Sequence, residues 1–196
     1  MFALATACWA WLAVVWVVAA RRTRVRATGD DDGIRRRRAA ARMLLIVLVG
    51  SVVLTTAGIL VGEQSPPGLE LELTWLAPIG LALLVAGTAL ATWARLALGS
   101  SWTVDPRVVG DRRLRTGGPY AVTRHPIYSG VLAMLVGSAL LSGIPASALV
   151  VLAGLLVAEM KIQREERLLL TAFPEEYPRY RDRVPQLIPG LGGLGH

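Results

Sequence analysis

Two polar stretches of the sequence concentrate side chains that can do chemistry. The first covers residues 117–130, and its aromatic, basic and proline members are Pro119, Tyr120, Arg124, His125, Pro126 and Tyr128. Glycines at its start permit a close approach of the backbone, and Pro126 suits the first position of a helix. The start of that helix offers N–H groups to a carboxylate, and tyrosine rings attract a cation such as a sulfonium. This stretch is therefore predicted to bind a small charged molecule.

The second polar stretch, residues 161–189, begins as a charged continuation of an apolar helix. Glu165 and Leu169 share one helix face, whereas Glu166 points about 100° away, so only one of the two carboxylates is expected to face a given pocket. A purely structural role also stays open for both stretches. Lys161 and Glu165 have the spacing of an ion pair on a solvated helix, and the tyrosines of the first stretch are also ordinary residues of a membrane interface.

Five apolar blocks separate and flank the polar stretches. They cover residues 2–20, 43–62, 76–98, 127–141 and 146–158. A membrane-spanning helix needs roughly 20 apolar residues, so the first three blocks are long enough, while the last two are short and are divided by a Gly-Ile-Pro turn signal. We predict an all-α integral membrane protein with five transmembrane helices, the last two forming a short helical hairpin. That hairpin returns both polar stretches to one membrane face.

Three further expectations concern the helices. The first block is interpreted as a retained helix rather than a signal peptide, because basic residues follow it and none precedes it. In the third block, Arg95 lies one turn from the end, where we expect its side chain to reach the membrane interface. The chain is expected to form one structural domain, with three helices in residues 1–98 and the cofactor-binding catalytic half in residues 99–196.

The distribution of basic residues predicts the orientation in the membrane. Nine arginines lie between the first and second blocks, residues 63–75 contain no Lys or Arg, and the segments after the third and fifth blocks are basic again. The positive-inside rule then places the N-terminus outside the cell membrane and the C-terminus in the cytoplasm. The same loops account for the net charge of +7, so no nucleic-acid partner is expected. One cysteine and two histidines form no cluster with metal-ligand spacing, so no metal is predicted.

Two groups of residues resemble the signature of isoprenylcysteine carboxyl methyltransferases and related membrane phospholipid methyltransferases. The first group is Gly118-Pro119-Tyr120 with Arg124-His125-Pro126-x-Tyr128-x-Gly130. The second is Glu165-Glu166-x-x-Leu169, Phe173, Glu175-Glu176-Tyr177, Tyr180 and Arg183-Val184-Pro185. The resemblance implies a multi-helix membrane fold with S-adenosylmethionine bound on the cytoplasmic side and S-adenosylhomocysteine as product. It also implies a lipid or prenylated substrate that enters from the bilayer.

The resemblance further implies roles for individual positions. Cofactor contacts would come from Arg112, Arg113, Leu114, Arg115, Tyr120, His125, Pro126, Ile127, Tyr128 and Glu165. The implied catalytic residues are Arg124, His125 and Glu165. Glu165 would bind the ribose hydroxyls or the ammonium of the cofactor, and His125 or Arg124 its carboxylate. The substrate would be contacted by Lys161 and Arg164. At the position of Lys161, eukaryotic relatives have arginine.

The expected function is S-adenosylmethionine-dependent methyl transfer to a lipophilic acceptor in the membrane. A carboxylate acceptor is favoured, because its ordinary pKa near ~4 leaves it ionised and nucleophilic at neutral pH. An amine acceptor, as in phospholipid amine N-methylation, needs a base, and no dedicated base is visible. Two further functions are compatible with the sequence: an NADPH-dependent membrane reductase of the sterol-reductase type, which carries a similar Arg-His-Pro-x-Tyr-x-Gly segment, and a non-catalytic membrane scaffold.

Overall fold

The computed structural model describes residues 2–24, 74–98, 114–143 and 147–188. Within these ranges every regular element is helical, which confirms the all-α prediction for this part of the chain. The α-helices are α1 (Phe2–Arg24), α2 (Ala77–Leu98), α3 (Pro126–Ser142), α4 (Ser147–Ala172) and α5 (Glu176–Arg183), and 3-10 turns cover Thr74–Leu76 and Gly118–Ala121. The second apolar block, residues 43–62, lies outside the described residues.

The described helices differ in their ability to cross a membrane. By length and composition, α2 can span a bilayer, while Ala3–Ala19 within α1 and Pro126–Ser142 are shorter apolar helices. The 26 residues of α4 extend past the fifth apolar block into the charged segment, as predicted. The structure therefore contains helices at four of the five apolar blocks. The expected number of five membrane crossings stays a prediction.

Helices α2 and α3 pack through glycines that bring their backbones into contact. A Cβ atom on Gly87 would lie 2.5 Å from the carbonyl oxygen of Gly130, and a Cβ on Gly130 would lie 2.6 Å from that of Gly87. Gly80 and Gly137 meet in the same way at 2.9 and 2.5 Å. In each helix the glycines are seven residues apart, about two turns, so they share one face. The two helices therefore run antiparallel at close range, a packing typical of membrane helices.

Helices α3 and α4 form the predicted hairpin. Gly143 ends α3 in the left-handed region at φ 66°, a conformation that glycine adopts without strain. Near this turn, the Ser147 hydroxyl donates to the carbonyl oxygen of Ala139 over 3.4 Å. Further along, Gly154 faces Leu135 across the hairpin. This antiparallel register brings the start of α3 beside the second half of α4.

Helix α1 packs across α2 and α3 and buries a charged side chain. The Trp9 indole nitrogen donates to the Ser138 hydroxyl of α3 over 3.2 Å. The guanidinium carbon of Arg95 lies 5.8 Å from the centroid of the Trp16 ring, and Arg95 is only 1% exposed. The expectation that Arg95 reaches the membrane interface is therefore wrong. Its side chain turns inward because α1 covers this face and offers an aromatic ring to the cation.

The glycine contact between α2 and α3 gives a stability test. We expect Gly130→Ala to lower the thermal unfolding temperature in detergent, because the new methyl group would meet the backbone of α2; such overpacking costs about 1–3 kcal/mol. Gly117→Ala is the matched control, since Gly117 has φ −101° and a Cβ there meets nothing within 4 Å. Equal unfolding temperatures for the two variants would contradict the close contact.

Candidate active site

His125 immediately precedes α3, whose first residue is Pro126 as predicted. Its imidazole lies between two carboxylates of α4, with Nε2 3.3 Å from Glu166 Oε1 and Nδ1 3.8 Å from Glu165 Oε2. The two polar stretches therefore meet at the open end of the hairpin. Both glutamates contact the imidazole, while the expectation that only one of them faces the ligand pocket stays a prediction. One imidazole presents nitrogens on two of its edges, so it meets two side chains that leave the helix in different directions.

Glu166 is the less accessible member of this carboxylate pair, with 16% of its side chain exposed. Its Oε1 atom also lies 3.2 Å from a terminal nitrogen of Arg124. The other terminal nitrogen of Arg124 donates to the Arg181 carbonyl oxygen over 3.1 Å. Burial by itself would raise the pKa of the Glu166 carboxyl, but the hydrogen bond from His125 and the charge of Arg124 lower the pKa below its ordinary value. Glu166 is therefore ionised at neutral pH and holds two basic side chains.

Glu165 is the accessible member, with 51% of its side chain exposed. The Tyr128 hydroxyl donates to its Oε1 over 2.7 Å. The rings of Tyr128 and His125 are tilted by 58° with centroids 6.0 Å apart. Glu165 is thus turned toward α3, so the interpretation of the charged segment as a solvated helix surface does not describe this residue. It is a carboxylate held in a fixed direction that still presents half of its surface to an incoming ligand.

The 3-10 turn Gly118–Ala121 places a second tyrosine next to this pair. Gly118 has φ 65°, and Pro119 and Tyr120 are buried. The Tyr180 hydroxyl of α5 donates to the Tyr120 carbonyl oxygen over 2.6 Å and fixes the turn. Burial raises the pKa of Tyr180 to about 12 against the opposing charge of Arg124. Burial, together with the neighbouring Tyr180 and Glu165, also raises the pKa of Tyr120. Both phenols therefore keep their protons at neutral pH.

A short segment after α5 covers the start of α3; we define it as the C-terminal strap, residues 184–188. The Arg124 backbone N–H donates to the Pro185 carbonyl oxygen over 2.8 Å. The His125 N–H donates to the Gln186 carbonyl oxygen over 3.1 Å. The backbone that carries both basic side chains is therefore tied to the strap.

Two hydroxyl groups add to the same attachment. The Thr123 hydroxyl donates to the Gln186 carbonyl oxygen over 2.6 Å, and the Ser129 hydroxyl donates to the Leu187 carbonyl oxygen over 2.6 Å. Sequence reasoning did not assign a role to any of these residues. In these contacts with α3 the strap acts through main-chain carbonyls, which every residue type carries, so its composition gave no signal for them. For Glu166 the signal was present in the motif, where it stands next to Glu165.

The predicted cofactor contacts occupy different environments. Pro126 is fully buried, and Ile127 packs against the hydrophobic core. A ligand at this turn therefore meets their backbone rather than their side chains. Leu114 is half-buried and Arg115 is exposed, while residues 112–113 lie outside the described part of the chain.

The predicted substrate contacts lie on α4 at different angles from the site. Ile162 is buried; relative to it, Glu165 is turned by about 60° and Lys161 by about 100° in the same sense. Arg164 is turned by about 160°, so it points away from α3, and it is exposed. The half-buried Lys161 is therefore the substrate candidate that shares the accessible side with Glu165.

Comparison with known proteins defines the class of protein. The family described as phospholipid methyltransferase matches residues 75–176, slightly more than half of the chain. This region contains α2, both helices of the hairpin and the paired glutamates. The chain belongs to the phospholipid methyltransferase family, which confirms the resemblance seen in the motifs.

Individual relatives are similar over a smaller share of their length. The chain is 34% identical over 143 residues to the cobalt-zinc-cadmium resistance protein CzcN of Cupriavidus metallidurans, covering 71% of this chain and 61% of that protein. It is also 34% identical over 127 residues to protein-S-isoprenylcysteine O-methyltransferase B of Arabidopsis thaliana, covering 63% of this chain and 64% of that protein. The chain thus spans about three fifths of the length of these relatives.

A solved structure shares the fold. It is the eukaryotic intramembrane Ras methyltransferase ICMT, an isoprenylcysteine carboxyl methyltransferase, with a TM-score of 0.63 and 23% sequence identity. The match covers 94% of this chain and 75% of that one. The helical arrangement is therefore that of a known membrane protein.

The ionised state of Glu166 gives a pH-dependent test. Because the pKa of Glu166 in the folded protein is below the ordinary value of 4.5, its stabilising effect is complete above pH 4.5 and is lost as the pH falls through the folded-state pKa. At pH 7, we expect Glu166→Gln to lower the free energy of unfolding by about 1.5–3 kcal/mol, as for other charged hydrogen bonds. The difference from wild type should shrink below pH 4.5.

Chemical denaturation at several pH values measures both effects. Glu175→Gln removes the same charge from an exposed side chain that makes no capping hydrogen bond, so it should behave like wild type throughout. A Glu166→Gln deficit that grows as the pH falls would contradict the assigned ionisation.

Proposed function

We propose that this protein is an S-adenosylmethionine-dependent methyltransferase whose acceptor is a lipophilic molecule embedded in the membrane. The observation that carries the proposal is the meeting of Glu165, Tyr128 and His125 at the open end of the hairpin, within hydrogen-bonding or ion-pair range. Membership in the phospholipid methyltransferase family supports it. The relative from Arabidopsis thaliana that is named an isoprenylcysteine O-methyltransferase supports it independently.

The residues present suit this cofactor. When bound, S-adenosylmethionine supplies an electrophilic methyl group on a positively charged sulfur. Glu165 offers an oriented and half-exposed carboxylate for its ammonium group or ribose hydroxyls, and the face of Tyr128 suits a cation. Tyr120, which is buried, remains a proposed contact on the basis of the family resemblance. The backbone N–H of Ile127 lies in the first turn of α3, where a donor suits an anionic group, while Pro126 has no N–H and sets the start of the helix. The segment 112–115 remains a proposed contact on the basis of the family resemblance.

Arg124 and His125 take a different role from the one expected for them. Both side chains are engaged by Glu166, and Arg124 also donates to the Arg181 carbonyl oxygen. These contacts argue against Arg124 as a direct ligand of the cofactor's carboxylate. We assign both as positioning residues that fix the start of α3, and Glu165 as the residue that touches the cofactor.

The acceptor that best suits the site is a carboxylate on a prenyl-like lipid. A carboxylate is already ionised at neutral pH, so its methylation requires no proton to be removed. This agrees with the groups around the site, since Tyr120 and Tyr180 keep their protons and Glu166 is held by two basic side chains. Lys161, on the accessible side of α4, supplies a positive charge for the acceptor, without the bidentate geometry of arginine.

The site is proposed to face the cytoplasm from a five-helix membrane domain. The accessible half of α4 carries the charged residues that follow the fifth apolar block, and α4 measures about 39 Å for its 26 residues, longer than the ~30 Å hydrocarbon layer. Its charged end therefore projects beyond the bilayer on the side of the basic segments, which the positive-inside rule assigns to the cytoplasm.

Ligand binding tests the assignment of Glu165. Isothermal titration with S-adenosylhomocysteine should detect binding to the wild-type protein, and Glu165→Gln should weaken it about tenfold or more, because a charge-assisted contact is lost. Glu176→Gln, an exposed change of the same kind on α5, should bind as wild type does. NADPH should not bind. Saturable NADPH binding with no binding of S-adenosylhomocysteine would instead favour a reductase, and binding of neither would favour a scaffold.

Analysis of the methylated product in oriented vesicles tests both the chemical class of the acceptor and the membrane side that the site faces. Membrane vesicles that contain the protein are incubated with methyl-labelled cofactor and a farnesylated cysteine derivative. We expect label in a lipid fraction that alkali releases as methanol, the behaviour of a methyl ester, and we expect Lys161→Gln to raise KM more than it lowers kcat. Inverted vesicles should be active and sealed right-side-out vesicles inactive. Alkali-stable label would identify an amine acceptor, and the opposite vesicle preference would reverse the orientation.

A further inference from the structure

A side-chain hydrogen bond fastens the C-terminal strap to α4. The Gln186 amide nitrogen donates to Glu159 Oε2 over 2.9 Å, and the Gln163 amide nitrogen donates to Glu159 Oε1 over 3.0 Å. Both carboxylate oxygens of Glu159 therefore have amide partners. Because the acceptor carries a charge, the bond from Gln186 is of the stronger kind of hydrogen bond.

The two sides of α4 face different parts of the molecule. Relative to the buried Ile162, Glu166 and Glu159 are turned by about 40° and 60° in one sense, toward the strap. Glu165 and Lys161 are turned in the opposite sense, toward the accessible side. Glu159 is thus a carboxylate close to the site in sequence that faces the strap rather than the proposed ligand.

Gln186 is also the strap residue that holds the start of α3. Its carbonyl oxygen accepts from the His125 N–H over 3.1 Å and from the Thr123 hydroxyl over 2.6 Å. One residue therefore binds α4 through its side chain and the His125 backbone through its main chain. Displacement of the Gln186 side chain would release the strap from α4 at the point where it supports His125.

We propose that Gln186 and Glu159 form a latch that positions His125 and Arg124 and thereby keeps the cofactor site in its binding conformation. Neither residue touches the ligand in this arrangement, so both are positioning residues. The consequence for the cofactor rests on the proposed function, whereas the effect of the latch on the start of α3 is independent of it.

Exchange of the donor and acceptor tests the latch. Gln186→Glu places two carboxylates together and should detach the strap. Hydrogen exchange at the Arg124 and His125 amides should then become about tenfold faster or more, with S-adenosylhomocysteine affinity reduced by a similar factor, because a charged hydrogen bond is lost. Glu159→Gln/Gln186→Glu reverses the direction of the hydrogen bond: the new amide at position 159 donates to the new carboxylate at position 186, and its oxygen still accepts from Gln163. Both quantities should return toward wild type.

Gln163→Ala is the matched control, because it removes the other amide donor to Glu159 and leaves the strap unchanged. In this variant, hydrogen exchange at the Arg124 and His125 amides should equal that of wild type. Wild-type exchange in Gln186→Glu, or no recovery in the double variant, would overturn the latch. If wild-type protein binds no S-adenosylhomocysteine, the proposed function fails, while the exchange rates still decide whether the latch exists. Faster exchange with unchanged affinity would overturn its link to the cofactor site.

Discussion

The backbone contact between α2 and α3 fixes the position of α3, and the geometry of the candidate active site depends on that position. Four glycines leave out the side chains that would hold these helices apart. In each facing pair, the carbonyl oxygen of one glycine lies close to the place where a Cβ of its partner would be. Helices in lipid gain little from the hydrophobic effect between them, and close van der Waals packing takes its place. With α3 fixed on α2, the hairpin turn at Gly143 fixes α4 on α3, and the His125 end of α3 must lie beside the charged half of α4.

At that junction, the two adjacent glutamates make different contacts. Glu166 has only 16% of its side chain exposed and binds both Arg124, whose charge would otherwise be costly to place beside an apolar domain, and His125. Glu165 is left half-exposed and is aimed by Tyr128. The proposed function requires two carboxylates here, because the one that binds Arg124 and His125 would not be available to a cationic ligand. The pairing of adjacent glutamates thus has a physical reason in the structure.

Much of this arrangement is visible in the amino-acid sequence. Apolar length and the Gly-Ile-Pro signal predict the hairpin, Pro126 predicts the start of α3, and the motifs indicate which ends meet. Helical periodicity separates the directions of Glu165 and Glu166, but it does not show that both contact one imidazole, because that contact depends on how α3 packs against α4. The burial of Arg95 depends on where α1 packs, and no local pattern reports that position. The strap contacts α3 through main-chain carbonyls and α4 through the Gln186 side chain, and both kinds of contact join residues far apart in the sequence, so only the folded chain shows them.

Photochemical cross-linking with methyl-labelled S-adenosylmethionine tests most directly whether the junction of α3 and α4 is one cofactor site. Ultraviolet irradiation of the bound cofactor should label peptides that contain Tyr120–Tyr128 or Glu165, and an excess of S-adenosylhomocysteine should prevent it. Label that appears only in other peptides, or that survives the competitor, would contradict a shared site at the junction of these two helices.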